Sequence, residues 1–134
     1  MTSITTYITC DGAANAIEFY GKAFGAVERY RIPMEGGRVG HAEITIGDTI
    51  LMISDEAPEY GAIAPTTLKG SSCSLVLECD DPDATFQQAL KAGAREERPM
   101  RDEPYGRAGW LLDPFGHRWS IMRSNPGFDP ASLV

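Results

Sequence analysis

The chain has 134 residues, 43% of them hydrophobic, and carries a formal net charge of −7 at pH 7. This length suits one domain or two small fused halves, and the hydrophobic share is enough for a packed core. The negative charge disfavours nucleic acid and anionic membranes as partners, and no apolar run is long enough to cross a bilayer.

The N-terminus and the cysteines bear on the location of the protein. The first ten residues lack the basic segment and long apolar stretch of a secretory signal, which favours the cytoplasm. Cys10, Cys73 and Cys79 form no CxxC pair and are odd in number, so a disulfide framework and a zinc ribbon are both disfavoured. We expect small buried thiols on strands.

The first half of the chain is predicted to contain one helix and four strands. Apolar side chains recur at helical spacing over Ala13–Phe24, and Gly25 ends that helix. The turns are marked by Asp11-Gly12, Glu35-Gly36-Gly37 and Gly47-Asp48. The strands are predicted at Ile4–Thr9, Val27–Ile32, Val39–Ile46 and Thr49–Ile53.

The second half repeats this order after a linker at residues 55–71, which has several Pro and Gly residues and no clear period. Carboxylates at Asp80, Asp81 and Asp83 favour the start of a helix that runs to Ala92, because they stabilise its positive N-terminal end. The strands are predicted at Cys73–Cys79, Ala94–Met100, Gly106–Leu112 and His117–Met122, and residues 124–134 form a tail.

This organisation is an internal repeat. Gly25-Ala26 corresponds to Gly93-Ala94, and Gly47 corresponds to Gly116 at nearly the same separation. The sequence therefore predicts an α+β fold made of two βαβββ modules in tandem, at about residues 1–54 and 72–123.

Three segments resemble a known family: AIEFYGKAFGA (Ala16–Ala26), GHAEITIGDTILMISDE (Gly40–Glu56) and DPFGHRWSI (Asp113–Ile121). They resemble the vicinal oxygen chelate superfamily, which includes glyoxalases, bleomycin-resistance proteins and extradiol dioxygenases, and are closest to its PhnB-like branch. The resemblance covers the chain except the tail. It implies a single domain over residues 1–134, whose mixed sheets curl around a cup with the helices outside, and it implies homodimers.

The resemblance also implies where a metal would bind, since metal-using members take ligands from the first and last strand of each module. Strand alternation and the repeat offset place Thr5, Leu51, Ser74 and Ser120 at those positions. Hydroxyl and aliphatic side chains do not hold a divalent catalytic ion tightly. We therefore expect no cofactor, although a divalent metal at another site is not excluded by the sequence.

The third strand supplies candidate catalytic residues. His41 and Glu43 lie two residues apart and are expected to point into the cup, where the carboxylate can orient the imidazole as an acid–base pair. The alternatives are hydrogen bonding within the sheet or across a dimer contact, and a non-standard metal site. His117 is interpreted as a residue of the Asp113–His117 turn.

A ligand in the cup is expected to contact side chains from several strands. Tyr105 and Trp110 are suited to stacking on a planar group, and Arg107 is suited to binding a carboxylate or phosphonate, although packing at the sheet edge is an equal alternative. The candidate ligand-binding residues are Tyr7, Leu51, Ile53, Ser74, Val76, Glu78, Tyr105, Arg107, Trp110, Ser120 and Met122.

The sequence is compatible with three functions. The first is a protein that binds a small molecule without the usual metal, like the drug-sequestering resistance proteins of the superfamily. The second is a glyoxalase-like lyase or isomerase that uses His41 and Glu43. The third is a dimeric interaction module with a vestigial cup.

Overall fold

The computed structural model describes residues 1–134, which form eight strands and three helices. The helices are α1 (Ala13–Phe24), α2 (Pro65–Leu68) and α3 (Pro82–Ala92). The strands of the first module are β1 (Tyr7–Cys10), β2 (Val27–Pro33), β3 (Val39–Ile46) and β4 (Thr49–Asp55). Those of the second are β5 (Ser74–Glu78), β6 (Arg95–Glu103), β7 (Gly106–Leu112) and β8 (Arg118–Ser124).

The two modules share one topology. The first sheet has the order β1-β4-β3-β2 and the second the order β5-β8-β7-β6. In each sheet the first two strands pair in parallel and the others are antiparallel. The predicted α+β fold with βαβββ occurring twice is therefore confirmed. No helix is long and apolar enough to span a membrane.

Each sheet has one face covered by helix, which we call its helix face, and one uncovered face, which we call its open face. Helix α1 packs on the first sheet, α3 packs on the second, and the two helices contact each other. Phe19 and Tyr20 from α1, Phe86 from α3 and Trp119 from β8 join one hydrophobic cluster. The core thus lies between the sheets and the helices, and the open faces point away from it.

The predicted elements differ from the structure at several ends. Strand β1 begins at Tyr7, so Thr5 precedes it, and β6 extends to Glu103 beyond the predicted end at Met100. The linker contains the short helix α2, which starts at Pro65. Of the free cysteines, Cys10 is buried, Cys79 is half-buried and Cys73 is exposed, so the expectation of buried thiols was wrong for Cys73.

The predicted orientation of β4 was also wrong. Met52, and not Leu51, pairs with Tyr7 of β1 and Glu43 of β3 on the open face. Leu51 and Ile53 are 5% and 0% exposed and belong to the core on the helix face. The repeat offset misplaced them because the turn between β3 and β4 is shorter than the one between β7 and β8, which shifts the register by one residue.

A buried carboxylate joins the two modules. Asp113, which follows β7, accepts hydrogen bonds from Tyr20 Oη of α1 and from Trp119 Nε1 at 2.9 Å. The backbone N–H groups of Phe115 and His117 donate to its other oxygen. Burial, together with the negative charge of Asp113, raises the pKa of Tyr20 well above its usual value, so the phenol remains a donor.

His117 makes a second connection between the modules. Its Nε2 lies 3.0 Å from the carbonyl oxygen of Thr9 in β1, and the residue is 8% exposed. The interpretation of His117 as a turn residue agrees with two hydrogen bonds that close the turn. The His117 N–H donates to the Asp113 carboxylate at 3.0 Å, and the Asp113 N–H donates to the His117 carbonyl oxygen at 2.8 Å. The imidazole lies on the core side of the sheet, away from the open face.

A second carboxylate organises the first module. Helix α1 has no side-chain cap of its own, and Asp55 at the end of β4 accepts from the N–H groups of Gly12 and Ala13 at 2.8 and 3.0 Å. Asp55 also accepts from Val39 N at 2.7 Å. Burial raises the pKa of Asp55, but these three hydrogen bonds to the carboxylate outweigh it, and the pKa lies below its usual value.

Removing the Asp113 carboxylate should destabilise the whole domain. Asp113→Ala leaves the Tyr20 hydroxyl and the Trp119 indole N–H buried without an acceptor, which should lower the free energy of unfolding by about 3 kcal/mol or more. Urea denaturation followed by tryptophan fluorescence measures this. Asp48→Ala, at an exposed turn residue, is the control and should change stability by less than about 0.5 kcal/mol. Equal effects of the two substitutions would contradict the structural role of Asp113.

Candidate functional site

Two hydrogen-bonded side chains stand at the centre of the first sheet's open face. Tyr7 Oη of β1 lies 2.7 Å from His41 Nδ1 of β3, and their rings meet edge to face at 5.3 Å between centroids. His41 Nε2 is 3.8 Å from Glu43 Oε2, which is too long for a hydrogen bond. Strand alternation predicted this shared face for His41 and Glu43.

The Glu43 carboxylate is fixed by the neighbouring strand. Tyr30 Oη donates to Oε2 at 3.0 Å, and Arg29 Nη1 donates to Oε1 at 2.8 Å. The hydrogen bond to Glu43 raises the pKa of Tyr30, so Tyr30 remains protonated as a donor. Tyr30 and Arg29 were not identified from the sequence.

This array, Tyr7–His41–Glu43 with Tyr30 and Arg29, is suited to two roles. A phenol, an imidazole and a carboxylate in sequence can hold or move a proton at His41 Nδ1 or Tyr7 Oη. The same groups can also donate and accept hydrogen bonds to a polar group of a bound ligand. Both roles use the open face, because the side chains of His41 and Glu43 remain 22% and 13% exposed.

The open face of the second sheet is built around Trp110. Trp110 pairs with Ser120 of β8, which pairs with Val76 of β5, so the three side chains lie side by side across the sheet. The Arg118 guanidinium stands over the Trp110 ring at 4.0 Å from its centroid. Arg118 also donates to Glu97 at 2.9 Å and to the Ser74 hydroxyl at 3.2 Å. Met122 lies on the same face two residues after Ser120 and pairs with Glu78 of β5.

Three predicted ligand-binding residues have other partners. Arg107 lies on the helix face, where its Nε and Nη2 donate to Asp83 of α3 at 2.7 and 2.8 Å. Tyr105 lies in the β6–β7 turn, with its ring 6.5 Å from that of Phe128. Glu78 accepts from the N–H group of Ser124 at 2.7 Å. The structure therefore brings Tyr105 and Arg107 to neither open face.

A cleft of about 330 Å³ lies where the two modules meet. Its lining includes Thr6 and Leu51 from the first module and Ser74, Val76 and Trp119 from the second. Leu51 thus borders this cleft from the core side, together with two of the predicted ligand-binding residues.

The resemblance implies four metal-binding positions, one on the first and one on the last strand of each module. In the observed register of β4, these four positions are occupied by Thr5, Met52, Ser74 and Ser120. A thioether and three hydroxyls do not form the imidazole and carboxylate set that a divalent catalytic ion requires, so these residues do not fit the metal. His41 and Glu43 have no third partner, since no group of three or more His, Cys, Asp or Glu side chains is arranged to hold an ion.

Comparison with known protein families identifies the family from the sequence. The Glyoxalase/Bleomycin resistance protein/Dioxygenase superfamily matches residues 3–121. An uncharacterized protein of Mycobacterium bovis is 39% identical over 123 residues, which is 89% of this chain and 81% of that protein.

Solved structures share the fold. TioX from Micromonospora sp. ML1 has a TM-score of 0.73 at 23% identity, covering 93% of this chain and 100% of the other. A PhnB protein from Bacillus cereus has a TM-score of 0.66 at 21% identity, covering 92% of this chain and 100% of the other. Because the family match spans most of the chain and includes both modules, the protein belongs to the Glyoxalase/Bleomycin resistance protein/Dioxygenase superfamily.

Proposed function

We propose that the protein binds a small organic molecule on its open faces without the divalent metal implied by the superfamily. The observation that carries this proposal is the composition of those faces, which combine aromatic and apolar side chains with a few fixed polar groups. Tyr7 and Val76 are 50% and 59% exposed, and the Tyr7–His41–Glu43 array stands beside Met52. Ligand sites of proteins have this mixture of apolar surface and few, well-oriented polar groups.

We further propose that two copies of the chain associate. Strand β2 is an edge strand that is exposed along its whole length, and its apolar side chains Val27, Tyr30 and Ile32 are 62%, 44% and 55% exposed. A long apolar edge strand invites pairing or coverage by another chain. A homodimer would cover these side chains and turn the open faces into enclosed cups.

A second candidate function is catalysis by a glyoxalase-like lyase or isomerase. The 2.7 Å contact between Tyr7 Oη and His41 Nδ1 favours it, because a short phenol–imidazole contact near a fixed carboxylate can shuttle a proton. In this role His41 would be the acid–base group and Glu43 would orient it. The interaction module with a vestigial cup is the third candidate, and a cytoplasmic location remains a prediction.

The first prediction of the proposed function concerns metal content. The untagged protein, purified without chelator and then dialysed, should contain far less than one equivalent of Zn, Ni, Fe or Mn per chain by mass spectrometry, because its family positions lack ligands. Its melting temperature should not change after treatment with EDTA. A stoichiometric metal that survives dialysis and supports stability would contradict the proposal.

The second prediction concerns ligand binding, with the neutral aromatic amide 2-naphthamide as the probe. In ¹⁵N spectra the indole signal of Trp110, on the open face, should shift during titration, whereas that of buried Trp119, bonded to Asp113, should stay in place. The substitution Trp110→Phe assigns the two signals. If neither the Trp110 indole signal nor the backbone signals of the strand residues on the two open faces shift, small-molecule binding there is contradicted.

The enzyme candidate is tested with the hemithioacetal of methylglyoxal and glutathione as substrate. If the protein is a binder, neither the wild type nor His41→Ala turns it over. If it is an enzyme, His41→Ala and Tyr7→Phe lose activity by about 10²-fold or more. Tyr60→Phe, at a tyrosine that is 87% exposed and outside the array, is the matched control and should retain it.

The third prediction concerns association. Ile32→Glu places a charge in the proposed contact and should shift the monomer–dimer equilibrium toward the monomer in sedimentation velocity. Ile4→Glu, at an exposed residue before β1, is the matched control and should leave the equilibrium unchanged. A wild-type protein that is monomeric at all concentrations would overturn the homodimer. Association without any probe binding would favour the interaction module.

A further inference from the structure

The Arg98 guanidinium of β6 makes no hydrogen bond within the chain, and its closest carboxylate oxygen lies 3.6 Å away. Its Nε and Nη2 are the only buried side-chain nitrogen or oxygen atoms without a hydrogen-bond partner. The residue pairs with Trp110 of β7, so it belongs to the open face of the second sheet. Buried donors are nearly always paired in folded proteins, and an unpaired guanidinium is costly. These two donors therefore lack an acceptor within the folded chain.

The two unpaired atoms define the shape of that acceptor. Nε and Nη2 form one edge of the guanidinium, with two parallel N–H groups that match the two oxygens of a carboxylate. Two other arginines of this chain use the same edge in this way. Arg31 donates from Nε and Nη2 to Glu28 at 2.9 and 2.6 Å, and Arg107 donates to Asp83 at 2.7 and 2.8 Å.

The carboxylates near Arg98 are already engaged. The closest is Glu103, with Oε1 at 3.6 Å from Arg98 Nη2, and this oxygen is hydrogen-bonded to Arg101. Glu97 is bound by Arg118 at 2.9 Å. Three arginines thus face two carboxylates, which leaves a local surplus of positive charge on a chain whose net charge is −7. Such a patch favours the binding of an anion.

We infer that Arg98 binds the carboxylate of a small organic acid whose flat apolar body lies against Trp110. This inference rests on the proposed binding function and names the class of ligand. The Arg98 side chain is 33% exposed, whereas its Nε and Nη2 atoms are buried. Binding of the acid would therefore require a change in the outer torsions of Arg98 that turns the Nε–Nη2 edge toward the open face. Arg118, held over the indole by Glu97 and Ser74, borders the same space and adds positive charge.

The test compares 2-naphthoate with its neutral isostere 2-naphthamide, titrated into ¹⁵N-labelled protein and measured in parallel by calorimetry. We expect 2-naphthoate to bind at least about tenfold more tightly, since only the acid can accept two charge-assisted hydrogen bonds. The Arg98 Nε–H and Trp110 indole signals should shift together. Arg98→Gln should lose this advantage for the acid and bind both probes equally.

Arg95→Gln is the matched control, because Arg95 lies on the same strand, is exposed and makes no side-chain hydrogen bond. It removes the same charge and should change the affinity for 2-naphthoate by less than about twofold, whereas a general charge effect would weaken both variants alike.

The remaining outcomes distinguish failure of the carboxylate site from failure of the proposed binding function. Equal binding of the two probes by the wild type would refute the inference and leave the proposed binding function standing. Binding of neither probe would refute both. If Arg98→Gln instead raises the dimer dissociation constant and the acid does not bind, the missing acceptor is a carboxylate of a second copy and the inference is wrong.

Discussion

The packing of the two modules against each other depends on the buried Asp113 carboxylate and its four hydrogen bonds. Tyr20 reaches it from helix α1 of the first module, and Trp119 reaches it from β8 of the second. Together with the contact between His117 and the Thr9 carbonyl oxygen, these hydrogen bonds fix the two sheets relative to helices α1 and α3. As a result, both helix faces contribute to stability, and the two open faces remain uncovered. A carboxylate buried with its donors makes this arrangement specific, since any slip would leave charged and polar groups unpaired.

The sequence predicted the tandem βαβββ fold. For the candidate site, it predicted which residues share a face only in strands where apolar and polar side chains alternate. Period-two alternation predicted the helix-face positions of Trp119 and Ile121 and the common face of His41 and Glu43, because those strands alternate clearly between apolar and polar side chains. It failed in β4, where Ile50–Ile53 is apolar throughout, so no alternation marks the register. The repeat offset then decided the assignment, and a difference in turn length made it wrong by one residue.

The residues that sequence reasoning missed lie at irregularities in the strands. Tyr30 follows a register shift between Glu28 and Tyr30, and Arg98 lies between two shifts in β6. A bulge reverses the direction in which the next side chains point, and no composition signal marks these bulges. Arg107, by contrast, was predicted to bind a ligand from its residue type alone, and its partner Asp83 on α3 could not be foreseen without the packing of helix on sheet. The chemical type of a residue near glycines is therefore a weak indicator of ligand binding. The register of its strand is a better one, because the register decides on which face the side chain lies.

The two open faces differ in chemistry in a way that links binding to association. The first carries a phenol, an imidazole and a carboxylate whose charge Arg29 neutralises, and the second carries an indole with an excess of guanidinium groups. Within one chain both faces point away from the shared core, so a ligand on either face stays open to water on one side. Water screens the hydrogen bonds and charge contacts that would hold it. A second copy that covered an open face would exclude this water and strengthen the same contacts. A ligand that binds only the covered face would in turn stabilise the pair of chains by mass action, so affinity and association would depend on each other.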